Sequence, residues 1–583
     1  MAGFDKLSPQ STSALAVEAR RGPTVDGMAA FPGRRPQTLL ELDLSEPLFS
    51  PEADDPIARF RARGRRLLRP TLRALHDAAE DRHVVGLIAK VGGTWPWAEM
   101  QELRLGVKAF VATGKPALAW TESFAEGSRN MASYVLATAF GEVWLQPGGE
   151  IGLLGVGIET TFVRGALNRL GIEPQFEQRH EYKNAADVLL RTEFTEAHRE
   201  ALERLAESVY NEAVETIAAD RKLPHERVRE LIDTGPRTAS EALAAGLVDR
   251  LGYRDQAYEA MRARTGGKPE LLFADRWRPR RKIALPPHRR SHVALVEVRG
   301  AIATGRSRRG AFGRQAGSDT VSAQLRAAHD NDRARAVVLR IDSPGGSAVA
   351  SDVIWREVCR LSESGKPVVV SMGDLAASGG YYIACPAAVI VALPSTLTGS
   401  IGVLGGKLVT DNLLHRLGVT TGSVQQGDRA LMYSSRRGFS EDERARFGLM
   451  IDAIYDDFVA KVAAGRSRPV AEIETVARGR VWTGRDAAEA GLVDELGGLR
   501  HAVRLARERA NLPDDAPVLG AIRISPWARL GRAKNSEDPR TWATTAMPRA
   551  ATVAGWTRDL ADLAAALGLP ADATLRMPDI YLR

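Results

Sequence analysis

Cysteine is nearly absent: Cys359 and Cys385 are the only two in 583 residues, too few for a disulfide framework or a cysteine-ligated metal cluster. The ten histidines show no metal-ligand spacing. His288 and His292 are four apart, but Pro286 and Pro287 precede them in a basic stretch, Arg278 to Arg290, that reads as an interdomain linker. No window approaches the about 18 uninterrupted apolar residues of a membrane span, and Met1 to Pro36 has no short apolar core with a cleavage site. The expectation is a chain with no transmembrane span or signal peptide, cytoplasmic or peripheral on a membrane. A phosphate loop is missing too. Gly402-Val-Leu-Gly-Gly406-Lys407-Leu408 is one residue short of that spacing, and Leu408 replaces the hydroxyl that would hold magnesium; it reads as part of a strand.

What is present is 44% apolar and 26% charged residues with a net charge of +8, the balance of a soluble globular protein. The charge and the run Arg59-Phe-Arg-Ala-Arg-Gly-Arg-Arg-Leu-Leu-Arg69 permit peripheral contact with an anionic membrane surface. A solvated basic helix is the plainer reading of the run. Nothing beyond charge points to nucleic acid.

The chain contains one unit twice. Tyr381-Tyr-Ile-Ala-Cys-Pro-Ala-Ala-Val-Ile-Val-Ala-Leu-Pro394 runs without a gap against Tyr134-Val-Leu-Ala-Thr-Ala-Phe-Gly-Glu-Val-Trp-Leu-Gln-Pro147, an offset of 381 − 134 = 247. Gly365-Lys366-Pro367 repeats Gly114-Lys115-Pro116, Val338 to Gly346 echoes Val85 to Gly93, and Ala490 to Gly497 repeats Ala245 to Gly252. The predicted organisation is an N-terminal extension 1–37, a first domain 38–275, a basic linker 276–292, a second domain 293–520 and a C-terminal extension 521–583. That last stretch, including Arg540-Thr-Trp542 and Gly555-Trp556, carries no readable function.

Apolar runs at Leu39–Leu44, Val84–Ile88, Ala117–Trp120 and Val143–Leu145 in the first half are matched by Val293–Val298, Val337–Ile341, Val368–Met372 and Val389–Leu393 in the second. They alternate with helical patterns, among them Glu196–Arg221 and Glu441–Arg466, as in an α/β fold. Just after the run at Val368 comes Met372-Gly-Asp-Leu-Ala-Ala-Ser378-Gly379-Gly380-Tyr381, a serine among small residues where a nucleophile would sit. Upstream is Asp342-Ser-Pro-Gly-Gly346, whose paired glycines allow close backbone approach; downstream is Pro394-Ser-Thr-Leu-Thr-Gly-Ser400-Ile-Gly402.

In order and spacing these three motifs resemble the signal peptide peptidase A family, peptidase family S49. Its members are Ser/Lys-dyad serine peptidases whose fold is shared with Clp protease and the crotonases. The resemblance covers about residues 38 to 515 and implies a tandem duplication of a Clp protease/crotonase-like strand-turn-helix domain. Aligning the halves puts Met131 opposite Ser378, so the first half has no nucleophile. His180-Glu-Tyr-Lys183-Asn-Ala-Ala resembles the family segment that supplies the lysine base, whereas the second half has alanine opposite Lys183, in Asp428-Arg-Ala-Leu431. Each half thus carries one member of a dyad, as in the long form of the family.

The chemistry requires such a pair. A serine hydroxyl needs a neighbouring base, and a lysine base must be neutral near pH 7, which calls for burial in a water-poor pocket. The resemblance implies that Ser400 orients the lysine and that the N–H groups of Gly346 and Gly379 form the oxyanion hole. It implies no metal and no organic cofactor. It also implies peptide substrates with small or apolar residues near the scissile bond, a homo-oligomer (a tetramer), and action on remnant signal peptides. Long members typically carry an N-terminal membrane anchor, for which no matching segment is read here.

Bland readings stand beside these. Lys183 could be a solvated surface charge, Ser400 a structural hydroxyl, and the duplicated Gly92-Gly93 shows that the glycine turn has structural value without a nucleophile. No Gly-x-Ser-x-Gly elbow surrounds Ser378 or Ser400, which argues against an α/β-hydrolase. A crotonase-like acyl-CoA enzyme remains a rival, needing an acidic catalytic residue, and so does a degenerate scaffold that binds apolar peptides without cutting them.

Overall fold

Each half lays its β-branched and apolar runs side by side as a mostly parallel sheet, and the two sheets have the same strand order. In the first half the order is Arg250–Leu251, Glu142–Leu145, Ala117–Thr121, Val84–Val91, Thr38–Leu44, Glu270–Phe273. In the second it is Glu495–Leu496, Val389–Ala392, Val368–Ala377, Ala334–Ser343, His292–Arg299, Val518–Gly520. Strands buried on both faces carry near-continuous apolar runs, which is why these stretches were legible as strands. The computed structural model describes residues 37–48, 66–124, 131–266, 269–279, 290–310, 313–521 and 574–576, all within one compact unit. The N-terminal extension, most of the basic linker and nearly all of the C-terminal extension lie outside the described residues.

The duplication extends to individual bonds. Tyr134 Oη donates to Leu247 O at 2.7 Å, and Tyr381 Oη to Leu492 O at 2.8 Å. Lys115 caps the carbonyls of Ala78, Ala79 and Asp81, as Lys366 caps those of Ala328, His329 and Asn331. Asp249 accepts from Val143 N–H, and Asp494 from Ile390 N–H, each at 2.7 Å. Each half has its own large apolar core. The long helices form at Glu196–Arg221 and Glu441–Gly465, capped by Thr195 and Ser440, as their 3.6-residue periodicity predicts.

A third sheet crosses between the halves. Glu173–Gln178 of the first half pairs antiparallel with Leu404–Val409 of the second, from Leu404 opposite Gln178 to Val409 opposite Glu173. On the other side of Leu404–Val409 comes Thr574–Arg576, which runs antiparallel to Gly345–Ser347. Of the basic run, the described arginines are tied down: Arg66 pairs with Asp43 at 2.5 Å and Arg69 with Glu297 at 2.6 Å. Among the described residues no helix is long and apolar enough to cross a membrane.

Candidate active site

The nucleophile candidate stands on a sharp corner. The strand Val368–Ala377 ends at Ser378, whose backbone has φ 55° and ψ −117°, and the helix Gly379–Ala384 starts at the next residue. Ser378 N–H donates to Gly399 O at 2.8 Å, and Ser378 O accepts from Tyr382 N–H at 2.9 Å. A non-glycine residue with positive φ is strained and is held by its surroundings. Small neighbours are obligatory: a Cβ on Gly379 would come within 2.6 Å of Ser351 Oγ, and one on Gly380 within 2.9 Å of Ser343 O. The Gly-x-Ser-x-Gly sequence is absent, yet the same strand–serine–helix corner is built from Ala-Ser-Gly-Gly.

Lys183 reaches this corner from the other half. Its carrier strand, Glu173–Gln178, is held against Leu404–Val409, and Arg179 N–H adds one more bond to Val403 O at 3.0 Å before the chain turns. Because Ser400 lies just before that partner strand, lysine and serine sit at the same end of one antiparallel pair. Lys183 Nζ lies 2.9 Å from Ser378 Oγ, 2.9 Å from Ser400 Oγ and 3.1 Å from Ser400 O. None of these three partners is a carboxylate. All three residues are fully buried, at 0% exposure. Burial alone drives the Lys183 pKa well below the ordinary lysine value, the shift expected when an ammonium loses its hydration without gaining a counter-charge. The solvated-surface reading of Lys183 is thereby excluded.

Ser400 also has positive φ, 51°, and its N–H donates to Arg480 O at 2.7 Å. Gly346 and Gly379 come together as well: the position a Gly379 Cβ would take is 3.2 Å from Gly346 N and 3.2 Å from Gly345 Cα. Gly345 N–H is engaged by Ser343 Oγ at 3.2 Å. Sequence reasoning therefore nominated five residues, and the fold gathers all five. Among the described residues no cluster of histidine, cysteine or carboxylate side chains could hold a metal ion.

A water-poor pocket for the lysine was expected from its chemistry; the residues that enclose it were not named. Gly479 presses on it so closely that a Cβ there would stand 2.5 Å from Lys183 N, and a Cβ on Gly402 would stand 3.2 Å from Lys183 Cδ. Around the rim, Arg478 pairs with Glu181 at 2.8 Å. Arg480 lies over the Tyr182 ring at 4.8 Å and pairs with Glu200 at 2.6 Å, and the His180 ring lies 4.6 Å from that of Tyr455. These contacts fasten the lysine turn to the second half. The clustered Arg478-Gly479-Arg480 was the available signal, legible only once its partner was known.

An α/β fold that sets a buried lysine amine against a serine hydroxyl on a strained corner has the arrangement of a serine hydrolase. Peptidase family S49 matches twice, over residues 109–267 and 360–513, once in each half; the chain belongs to this family and is a serine peptidase by descent. It is 33% identical over 452 residues to Protease 4 of Salmonella typhi, covering 75% of this chain and 71% of that one. It is 29% identical to Protease 4 of Haemophilus influenzae, covering 76% and 73%. To the chloroplastic serine protease SPPA of Arabidopsis thaliana it is 31% identical over 443 residues, 75% of this chain but 64% of the plant protein's length.

Proposed function

We propose that this protein is a serine endopeptidase that cuts extended apolar peptides, such as remnant signal peptides, with Ser378 as nucleophile and Lys183 as general base. The observation that carries the reading is the 2.9 Å approach of Lys183 Nζ to Ser378 Oγ, with both groups fully buried. The neutral amine takes the Ser378 proton as Oγ attacks the scissile carbonyl. The N–H groups of Gly379 and Gly346 receive the oxyanion, and Ser400 fixes the amine's direction. The ammonium then gives its proton to the leaving amine, which departs and leaves an acyl-Ser378. Water, deprotonated by Lys183, adds to the ester; collapse expels Ser378 Oγ, which regains its proton from Lys183.

The substrate's route is supported by the slot between Gly345–Ser347 and Leu404, where residues Thr574–Arg576 of the chain itself pair as an antiparallel strand. A slot that accepts an extended backbone beside the oxyanion glycines suits a polypeptide better than an acyl-CoA. A homo-oligomer belongs to the same reading, as does peripheral membrane contact, with no nucleic acid. The two-domain division at the basic linker, with one dyad member in each, is part of it as well.

The test is hydrolysis of a fluorogenic peptide with an apolar core by the parent, Ser378→Ala and Lys183→Met, each checked for folding. Cleavage by the parent and near-complete loss in both variants is the expected result. A parent inert on all such peptides, with peptide binding intact and no fluorophosphonate labelling of Ser378, would establish the scaffold reading instead.

A further inference from the structure

The helix Trp97–Val111 belongs to the half that carries the lysine, yet its first two turns are bonded to the other half. Glu99 N–H donates to Asp374 Oδ1 at 2.9 Å, four residues before Ser378. The Gln101 amide clamps Ser395 from both sides, accepting from Ser395 N–H at 3.0 Å and donating to Ser395 Oγ at 3.1 Å, five residues before Ser400. Glu102 Oε2 accepts from Arg340 Nη2 at 2.7 Å, and its other oxygen accepts from Leu499 N–H at 2.9 Å. Arg340 in turn donates through Nη1 to Ser371 Oγ at 2.9 Å and Met372 O at 3.1 Å, on the strand that ends in Ser378.

Gln101, Glu102, Arg340 and Ser395 are buried, between 4% and 7% exposed. Taking such groups out of water is costly, and a buried ion pair often stabilises no better than apolar residues of the same shape; its best-attested use is to fix register. The seam is also overloaded with acid. Glu99, Asp342 and Asp374 crowd the same place, with Arg299 and Arg340 beside them, while Arg69 pairs with Glu297. A cavity of about 1060 Å³ lined by Glu99, Arg299, Arg340, Asp342 and Asp374 runs alongside. Burial, then neighbouring carboxylates, pushes Glu99 up to about 8 and raises Asp374. A seam selected for strength alone would not bury so many carboxyl groups together.

We infer that Gln101 and Glu102 are positioning residues, acting through Ser395 and Arg340 to register both serine-bearing segments of the second half against Lys183 of the first. The inference rests on the dyad reading above. Strand Val368–Ala377 delivers Ser378 and the segment after Ser395 delivers Ser400, so one helix of the lysine half governs the placement of both lysine partners. Because desolvation alone lowers the Lys183 pKa, any slackening of this register admits water and returns the amine toward its ordinary value.

The experiment compares the full-length parent with Gln101→Met and with the double variant Glu102→Met/Arg340→Met, which removes both partners of the ion pair together. Thermal melts establish that each folds. The expected result is a kcat lowered at least about tenfold with KM within about twofold, and an acidic limb of the pH profile moved to higher pH. A second readout needs no catalysis: the pH midpoint for acetylation of Lys183 by acetic anhydride, which reacts with the neutral amine, is expected to rise in the double variant. A folded double variant with the parent's kcat and an unmoved midpoint overturns the inference, leaving the pair as glue between halves. Ser378→Ala run alongside separates this from failure of the dyad: if that variant keeps the parent's rate the dyad reading falls, while the lysine midpoint still decides the register.

Discussion

At matching places in the two halves, Met131 and Ser378 stand one residue before equivalent short helices, Ala132–Ala137 and Gly379–Ala384. Met131 has a helical φ of −71° and packs into the first-half core; Ser378 has φ 55° and faces the lysine from the other half. Upstream, the first-half strand stops at Thr121 after five residues, whereas its counterpart runs ten, to Ala377. The extra stretch, Leu375–Ala377, pairs with Leu397–Gly399, and it carries the serine to the seam. The scaffold bonds of tyrosine, lysine and aspartate are the same in both halves. Among the described residues, what differs is the backbone angle at this corner and the pairing of the strand that leads into Ser378.

The sharpest way to break this contrast is Ser378→Ala, for which a loss of at least about a thousandfold in kcat/KM is expected; residual cleavage above that level would move the nucleophile elsewhere. Lys183→Met should cost nearly as much activity while changing the pH dependence of stability. Between its lowered folded pKa and the ordinary lysine value, the unfolded chain binds a proton that the folded chain does not. Folding therefore loses stability as pH falls through that window, and methionine removes the loss. The variant's stability relative to the parent is expected to rise as pH falls through that window, read by denaturant unfolding; a difference that does not change with pH would contradict the buried neutral amine.

Activity itself should climb with pH through a limb well below the ordinary lysine value, falling about tenfold per pH unit beneath it. A limb near 10 in the pH dependence of kcat/KM would mean that the lysine is hydrated. Met131→Ser tests the silent half: no second labelling site for a fluorophosphonate is expected, with stability lower by about 2 to 4 kcal/mol from the vacated core. The smallest effects sharpen the scaffold side of the contrast. Tyr134→Phe and Tyr381→Phe should each cost about 1 kcal/mol by denaturant unfolding, and markedly unequal costs would show that the two halves do not share their supports equally.

Much of this was legible in the chain because the repeat supplied an internal comparison: the gaps opposite Ser378 and Lys183 were visible as mismatches between otherwise similar segments. The parallel strands were legible because burial on both faces leaves apolar runs. The extension of Val368–Met372 to Ala377 was not, since Gly373 and Asp374 interrupt the pattern. Nor was Glu173–Gln178, a short, polar, proline-containing segment whose alternation of Pro174 and Phe176 with polar residues is too brief to stand out, and which pairs with the edge offered by Leu404–Val409. The Glu102–Arg340 pair joins residues 238 apart, and a charge that finds its partner by tertiary folding leaves no local trace.

Lys183 precedes Ser378 by 195 residues, and Gly479, which packs on the lysine, comes about a hundred residues after the serine. During synthesis Lys183, the proposed base, leaves the ribosome first, Ser378 much later, and Gly479, which packs on the lysine, last of the three. A chain terminated before that glycine is made holds a hydrated, charged lysine and a serine without a working base. On the proposed dyad, the site is complete only when segments from residue 183 to residue 479 have been made and brought together.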